Sequence, residues 1–333
     1  MMRVSFEELY QELLRVLLKK GFAEERAQLC AKIFTESSRD GVYSHGLNKF
    51  PIFVKYIDKG YVRVNALPEK IADFGSLERW DGNYGPGPLN AHFCMNRSIE
   101  LAKEHGIGCV ALRNTNHWMR GGTYGWQAAD AGCIAICFTN TIPNMPPWGG
   151  AERRIGNNPF VIAVPREGGH IVLDMAMSLF SYGKMGVTRS KGELLPFDGG
   201  HDSEGHLTRD PDAILKSKRP LPAGYWKGSG LSIMLDLLVT ILSEGRASSV
   251  IGEIQDEKGV SQCFLCIDTE KQHQPGYVDQ VANTLLDDLH DTPPLHEGGA
   301  VSYPGERTLK TRQENIEKGI PVDEKKWQQL KEM

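Results

Sequence analysis

From about Ile71 onward, short β-rich runs alternate with helical ones, and this alternation constrains the fold more than any other feature of the chain. The extended runs are Leu77–Asp81, Gly108–Arg113, Gly132–Asn140, Phe160–Pro165, Ile171–Met175 and Gln262–Asp268. Helical patterns fall between them, near Pro88–His105, Thr123–Ala131, Gly230–Glu244 and Gly276–Leu289. Strands separated by helices point to an α/β fold whose sheet is covered on both faces. Residues 190–225 are rich in Gly, Pro, Asp and Lys and read as a long functional loop or lid rather than core.

The first 70 residues follow a different pattern. Ser5-Phe6-Glu7-Glu8 is a capping box, in which the Ser5 hydroxyl and the Glu8 carboxylate each satisfy a free backbone N–H. Phe6, Leu9, Leu13, Leu14 and Leu17 follow at helical spacing, and Gly21 supplies the stop. A second helix runs from about Ala23 to Arg39 and ends at Asp40-Gly41. A further helical segment leads to Lys59-Gly60, with Pro51 either starting a new piece or kinking it. The tail predicts two short helices, Thr308–Lys318 and Asp323–Lys331, placed to pack on the N-terminal ones. The expected organisation is a helical subdomain of residues 1–70 plus 308–333, and an α/β domain of residues 71–307.

Charge narrows the partners. The formal net charge is -4 and like charges form no block, which argues against a nucleic-acid-binding tail. The short basic run at Lys216, Lys218 and Arg219 reads as a solvated loop. The longest apolar run, Leu231 to Leu242, is interrupted by Asp236 and reads as a buried helix rather than a membrane span. The N-terminus opens directly into an amphipathic helix without a signal-peptide pattern, so a cytoplasmic protein is expected. The seven cysteines include a C-x-x-C at Cys263 and Cys266, and Cys133 and Cys137 lie four apart. The first pair falls in a strand-like run and no second pair stands at zinc-site spacing, so both pairs read as core residues and no metal is expected.

One glycine motif invites a misreading. Gly85-Pro86-Gly87-Pro88-Leu89-Asn90-Ala91 lies between a strand and a helix, as a Rossmann loop would. Pro86 and Pro88 have no N–H to offer a pyrophosphate, and the third glycine is missing, so a proline-closed turn is the better reading. Tyr225-Trp226-Lys227-Gly228-Ser229-Gly230-Leu231 is a stronger anion-site candidate, since an ammonium sits beside a glycine-rich helix start. A plain N-cap by Ser229 fits the same spacing equally well.

Two clusters carry the chemistry. Asp40-Gly41-Val42-Tyr43-Ser44-His45-Gly46-Leu47-Asn48-Lys49 places a hydroxyl, an imidazole and an ammonium within six residues. If a helix begins near Ser44, His45 and Lys49 share one face, as a proton donor and a carboxylate-binding cation. The second cluster, Asn114-Thr115-Asn116-His117-Trp118-Met119-Arg120-Gly121-Gly122, follows a strand, where open α/β sheets gather ligands. The two are expected to face each other across one active site. Asp174 closes the strand His170–Met175, as an N-cap for the following helix or as a holder of a sugar hydroxyl.

Tyr43-Ser-His-Gly46 with a cation at position 49, Asn116-His-Trp118, Ile155-Gly-Asn-Asn-Pro159, Leu173-Asp-Met-Ala-Met-Ser178 and Lys227-Gly-Ser-Gly-Leu231 occur in order over nearly the whole chain. Together they resemble the malate/L-lactate dehydrogenase family, which is unrelated to the Rossmann lactate dehydrogenases. The resemblance implies an α/β, mixed-sheet, non-Rossmann dinucleotide-binding fold, with the helical subdomain built from the two chain ends. It implies a cytoplasmic homodimer using NADH, with NADPH as the alternative, on a small keto or hydroxy acid. It makes His45 the proton donor, with Ser44 beside it, Lys49 on the substrate carboxylate and His117 next to nicotinamide and substrate. His170, Ile171, Val172, Leu173, Asp174, Met175, Ala176, Trp226, Lys227, Gly305, Glu306 and Arg307 are the implied cofactor contacts. The chain departs from the family pattern with lysine for the usual arginine at position 49 and asparagine for threonine at position 157. Lysine cannot make the bidentate fork that arginine makes to a carboxylate.

The expected reaction is hydride transfer to the C2 carbonyl of a 2,3-diketo sugar acid, with malate, lactate, ureidoglycolate or a cyclic imino acid as rival substrates. The bulk of Trp118, Met119, Trp148 and Trp226 favours the larger one. A sugar-acid binding protein without turnover is the rival of another class, and a zinc hydrolase the third.

Overall fold

The computed structural model describes residues 2–254 and 256–333. The chain opens with β1 (Met2–Val4), α1 (Phe6–Lys19) and α2 (Glu24–Arg39), then a 3-10 turn at Tyr43–His45 and α3 (Phe50–Asp58). Next come β2 (Glu69–Asp73), β3 (Leu77–Asp81), α4 (Gly87–His105), β4 (Ile107–Thr115), α5 (Gly122–Asp130) and β5 (Cys133–Thr139). β6 (Phe160–Val164), β7 (Ile171–Met175), α6 (Tyr182–Ser190), β8 (Gly200–His201), β9 (Leu207–Thr208) and α7 (Pro211–Ser217) follow. The rest comprises α8 (Trp226–Ser243), α9 (Ser248–Ile251), β10 (Val260–Asp268), α10 (Tyr277–His290), α11 (Glu306–Lys318), β11 (Ile320–Val322) and α12 (Glu324–Glu332).

The main sheet has seven strands in the order β2-β3-β4-β10-β5-β6-β7. Its β3–β4 pair is parallel, joined by the α4 crossover. β10 arrives from far along the chain and inserts antiparallel between β4 and β5, which themselves run parallel through α5. The sheet is therefore mixed, and β7 is its last strand.

Strand alternation sends neighbouring side chains to opposite faces. Phe264 and Cys266 of β10 pack with Met95, Tyr124 and Ala128 of α4 and α5. Cys263 faces the other way, with Phe138, Leu235 and Val239 of β5 and α8. Six of the seven cysteines are fully buried, as the core reading requires, and none is disulfide-bonded. A third core joins the two chain ends: Leu9, Leu13, Leu17, Phe34, Phe50 and Phe53 pack with Ile320, Val322, Trp327 and Leu330. The Ser5–Glu8 capping box forms on both sides.

Four readings change. Residues 190–225 are not a structureless lid, because Leu195 and Ile214 close a small core with Met185 around α6, α7 and the β8–β9 hairpin. Helix α8 is not a buried helix. Leu231, Ile233, Met234, Leu237, Leu238 and Ile241 are 40% to 68% exposed along one side of it. It is also the one described helix long and apolar enough to cross a membrane. No α-helix starts at Ser44. Gly46 breaks the chain after the 3-10 turn, and α3 begins at Phe50 with Pro51 in its first turn. Finally, α8 begins at Trp226, so Ser229 lies inside it and does not cap it. The Ser229 hydroxyl instead accepts the Trp148 N–H at 2.9 Å.

Candidate active site

Packing ties the first cluster to the end of α2. A Cβ on Gly46 would stand 2.1 Å from Ser38 Oγ, so only glycine allows this approach. The Leu47 N–H donates to the same hydroxyl at 3.0 Å. Asp40, just before the cluster, is buried and accepts hydrogen bonds from Arg39 at 2.8 Å, Arg120 at 2.5 Å and both ends of the Arg312 guanidinium at 2.8 and 2.7 Å. Those cations outweigh burial and hold its carboxyl well below the usual carboxylate range. One carboxylate thus joins the His45 loop, the His117 loop and the C-terminal helix α11.

The second cluster is held as firmly. Asn114 and Met119 adopt φ of 51° and 66°, which turns the chain sharply beyond β4. The Asn116 side chain donates to the carbonyls of Tyr84 and Gly85 at 3.0 and 2.9 Å. A Cβ on Gly87 would sit 2.2 Å from the His117 carbonyl oxygen, so the turn rejected as a dinucleotide loop serves instead to seat α4 against this loop. His117 Nδ1 accepts the Met119 N–H at 2.9 Å, which leaves the ring hydrogen on Nε2.

These loops bring His45 and His117 face to face, with ring centroids 5.6 Å apart and planes inclined by 27°. Ser44 Oγ lies 3.0 Å from His45 Nδ1. Burial lowers the His45 pKa to about 4; the Asp174 charge opposes the shift, while Lys49 and Arg120 add to it. His117 is lowered well below its ordinary value by burial first, then by Lys49 and His45. Two neutral imidazoles and a nearby ammonium therefore await an anion. Binding of a carboxylate would offset the Lys49 charge and ease protonation of His45.

Ser44, His45, Lys49 and His117 line one cavity of about 2020 Å³. Its far wall is the outer edge of β7, from Val172 to Ala176, with the 302–308 segment alongside. The Val172 N–H donates to the Pro304 carbonyl at 2.9 Å, so by strand alternation the backbone groups of Asp174 turn to the same outer edge. A Cβ on Gly305 would come within 3.0 Å of Val172 N, which keeps this wall tight. Asp174 Oδ2 accepts the Gly122 N–H at 2.8 Å, so it caps α5 rather than the helix that follows it.

Several expected cofactor contacts fall elsewhere. His170 turns away, with Nε2 2.8 Å from Asp130 and its ring on Trp126, and neither it nor Ile171 lines the cavity. Glu306 bonds Lys310 at 2.8 Å and the Tyr303 N–H at 3.3 Å, beside the cavity rather than in it, whereas Gly305 and Arg307 do line it. Trp226 is 63% exposed at the head of α8, with Lys227 over its ring, and neither lines this cavity. Trp148 lies against Tyr225 outside the cavity with its ring tilted, whereas Trp118, packed against Tyr124 and Phe264, and Met119 do line it. Among the described residues no cluster of three or more His, Cys, Asp or Glu is arranged to hold a metal.

The sequence reading missed Asn144, Tyr182 and Glu257, which also line the cavity. No motif marks them: Glu257 stands in a charged turn that reads as solvated surface. A nicotinamide dinucleotide fits the donor set. Arg153, Lys184, Lys191 and Arg307 supply cations for phosphates, and the β7 edge supplies backbone donors and acceptors.

Residues 4–331 match the model of the malate/L-lactate dehydrogenase family. The chain belongs to the malate/L-lactate dehydrogenase family. It is an oxidoreductase acting on a CH–OH/C=O pair, and this family's chemistry implies a nicotinamide cofactor. The chain is 47% identical over 330 residues to 2,3-diketo-L-gulonate reductase of Citrobacter koseri, covering 99% of each. The enzyme of the same name from Klebsiella pneumoniae is 46% identical over 330 residues, again covering 99% of each. Among solved structures, malate dehydrogenase of Entamoeba histolytica superposes with a TM-score of 0.95 at 25% identity, covering 99% of this chain and 96% of that one.

Proposed function

We propose that the protein reduces the C2 carbonyl of 2,3-diketo-L-gulonate to the alcohol of 3-keto-L-gulonate, with NADH as the cofactor. The observation that carries this reading is the convergence of His45, His117 and Lys49 on one cavity. The full-length similarity to reductases of that name supports the substrate.

The bound nicotinamide supplies the hydride. The chain's own residues do the rest. Lys49 binds the substrate carboxylate as a point charge. His117 donates from Nε2 to the carbonyl oxygen and polarises it. His45, protonated once the anion is bound, gives its proton to the same oxygen as hydride reaches C2, so charge does not build there. Ser44 orients the imidazole through Nδ1. Arg153, Lys184, Lys191 and Arg307 would hold the cofactor phosphates, and the edge of β7 with Gly305 would cradle it through backbone groups. That wall brings no cofactor by itself; it fixes position and field around the reacting atoms.

The protein acts in the cytoplasm as a homodimer. The apolar side of α8 supports a second copy as its cover. In the same helix Asp236 accepts hydrogen bonds from Asn140 at 2.8 Å and Ser248 at 3.1 Å, which anchors α8 to the α/β body and argues against a lipid-spanning role. Trp226 and Lys227 head this helix, and their expected part in cofactor binding would be exercised at that interface.

The test is oxidation of NADH, and separately of NADPH, followed by absorbance with 2,3-diketo-L-gulonate, oxaloacetate, pyruvate and a cyclic imino acid. Turnover that is fast on the diketo acid with NADH is expected. Preference for another acid would discard the substrate and keep the reaction class; no oxidation with any of them would favour a binding protein without turnover.

A further inference from the structure

A carboxylate in a cavity built for a keto acid needs a reason. Glu257 lines the same cavity as Lys49, His45 and His117. Its neighbours hold it there. Asp256 pairs with Lys59, which caps the end of α3, at 2.5 Å, and Lys258 Nζ lies 4.9 Å from the Tyr84 ring centre and 5.1 Å from that of Tyr61. The segment is thus pinned on both sides of Glu257 to the helical layer. Glu257 itself makes no ion pair with any described residue. Burial pushes its carboxyl up from the ordinary range, opposed by the charge of Lys49 and by the Ile142 N–H.

The Ile142 contact places Glu257 beside the 141–144 segment, which forms a polar wall. Asn144 Nδ2 donates to Asn157 Oδ1 at 2.7 Å, while Asn144 Oδ1 is buried without a partner. Glu257 therefore brings an acceptor to the cavity that Lys49 also lines, beside a wall that carries a buried amide oxygen without a donor. For pyruvate or any keto acid with an apolar tail this is unfavourable: the acceptor loses water and gains no donor. A chain of hydroxyl-bearing carbons reverses the sign, because each hydroxyl brings a donor.

We propose that Glu257 is a specificity-determining residue, whose carboxylate accepts hydrogen bonds from substrate hydroxyls beyond the reacting carbonyl and so selects polyhydroxylated over unhydroxylated 2-keto acids. The inference rests on the reading of the cavity as a keto-acid site and deepens it. A site built to pair with hydroxyls rejects the analogue lacking them more strongly than an apolar pocket rejects a missing methylene.

The test compares wild type with Glu257→Gln and Glu257→Leu in two arms. In the first, kcat and KM are measured with NADH on 2,3-diketo-L-gulonate and on pyruvate. Glu257→Gln is expected to lower kcat/KM on the diketo acid at least tenfold, chiefly through KM, and to leave pyruvate unchanged or improved. The second arm measures binding of L-gulonate and of propionate to the NADH-loaded protein by calorimetry. Wild type is expected to favour gulonate, and Glu257→Gln to weaken gulonate at least tenfold with propionate unchanged or tighter. Equal losses on both members of either pair, or no loss on the hydroxylated one, would overturn the inference. If wild type ignores the diketo acid, the substrate reading fails, and the binding arm still decides Glu257: no preference of wild type for gulonate counts against it. Glu257→Gln, of nearly the same shape, keeps the test informative should Glu257→Leu not fold.

Discussion

At the scale of single residues, the site is governed by what burial does to two imidazoles. A histidine with its pKa lowered to about 4 is neutral across the physiological range. In the proposed mechanism reduction needs its protonated form, so the competent fraction of free enzyme grows as pH falls. The expected outcome is a kcat/KM for reduction that rises steadily from pH 8 to pH 5.5, approaching about tenfold per pH unit. In the oxidative direction His45 must accept a proton, and kcat/KM should be flat over the same range. Initial rates in both directions across a constant-ionic-strength buffer series check this; an acid plateau for reduction beginning near pH 6.5 would contradict it. Lys49 belongs at this scale too. Where arginine would clamp a carboxylate through two parallel bonds, lysine offers a single mobile charge, which suits a site where further grip comes from contacts along the substrate chain.

At the scale of elements, Asp40 is the tie between parts that are distant in sequence. It sits at the end of α2 and takes hydrogen bonds from the loop before α5 through Arg120 and from α11 through Arg312. Replacing it with asparagine leaves Arg120 buried without its counter-charge. Breaking such a buried pair costs about 3–5 kcal/mol, and the partial exposure of Arg312 brings the expectation to about 2–4 kcal/mol. Because the folded-state pKa lies below the ordinary value of 3.8, this stabilisation is present above about pH 4 and is lost as pH falls below it. Denaturant unfolding of wild type and Asp40→Asn should therefore differ most at pH 6–7, with the gap beginning to narrow as pH falls below about 4. A gap that does not depend on pH would assign the loss to packing instead. The elements themselves were largely legible in the sequence. Leu77–Asp81 and Ile171–Met175 are strands with the expected bounds, and the capping box at Ser5 starts α1. What local pattern could not supply was the pairing: nothing within β10 says that it inserts between β4 and β5. Nor could composition reveal the small core around Ile214, since its glycines and prolines describe turns and not what those turns enclose. Motifs marked His45 and His117, while Glu257 and Asn144 are invisible until the fold brings separate loops to one wall.

At the scale of the whole molecule, two apolar surfaces set the assembly. The first is internal: residues from both chain ends share one core, and we propose that residues 1–70 and 308–333 act as a single helical unit roofing the cavity. The second is the exposed side of α8. A row of six large exposed apolar side chains is the kind of surface that a partner covers. The account expects a dimer in light scattering at micromolar concentration, converted to monomer by the double substitution Leu237→Glu and Ile241→Glu, on the face away from the sheet. Because Trp226 and Lys227 begin this helix, the monomeric variant should also bind NADH more weakly, by about tenfold or more. A wild-type monomer, or a variant that remains dimeric, would remove α8 as the interface.

The central claim is that His45 protonates the substrate oxygen within a cavity that holds the cofactor independently of it. The most direct measurement is the single-turnover rate of NADH oxidation by 2,3-diketo-L-gulonate in wild type and His45→Gln, with NADH binding measured on the same samples. The account predicts unchanged NADH affinity and a rate reduced by about 10²–10⁴-fold, the usual contribution of a positioned general acid. A variant that binds NADH normally and still turns over within a few-fold of wild type would contradict it.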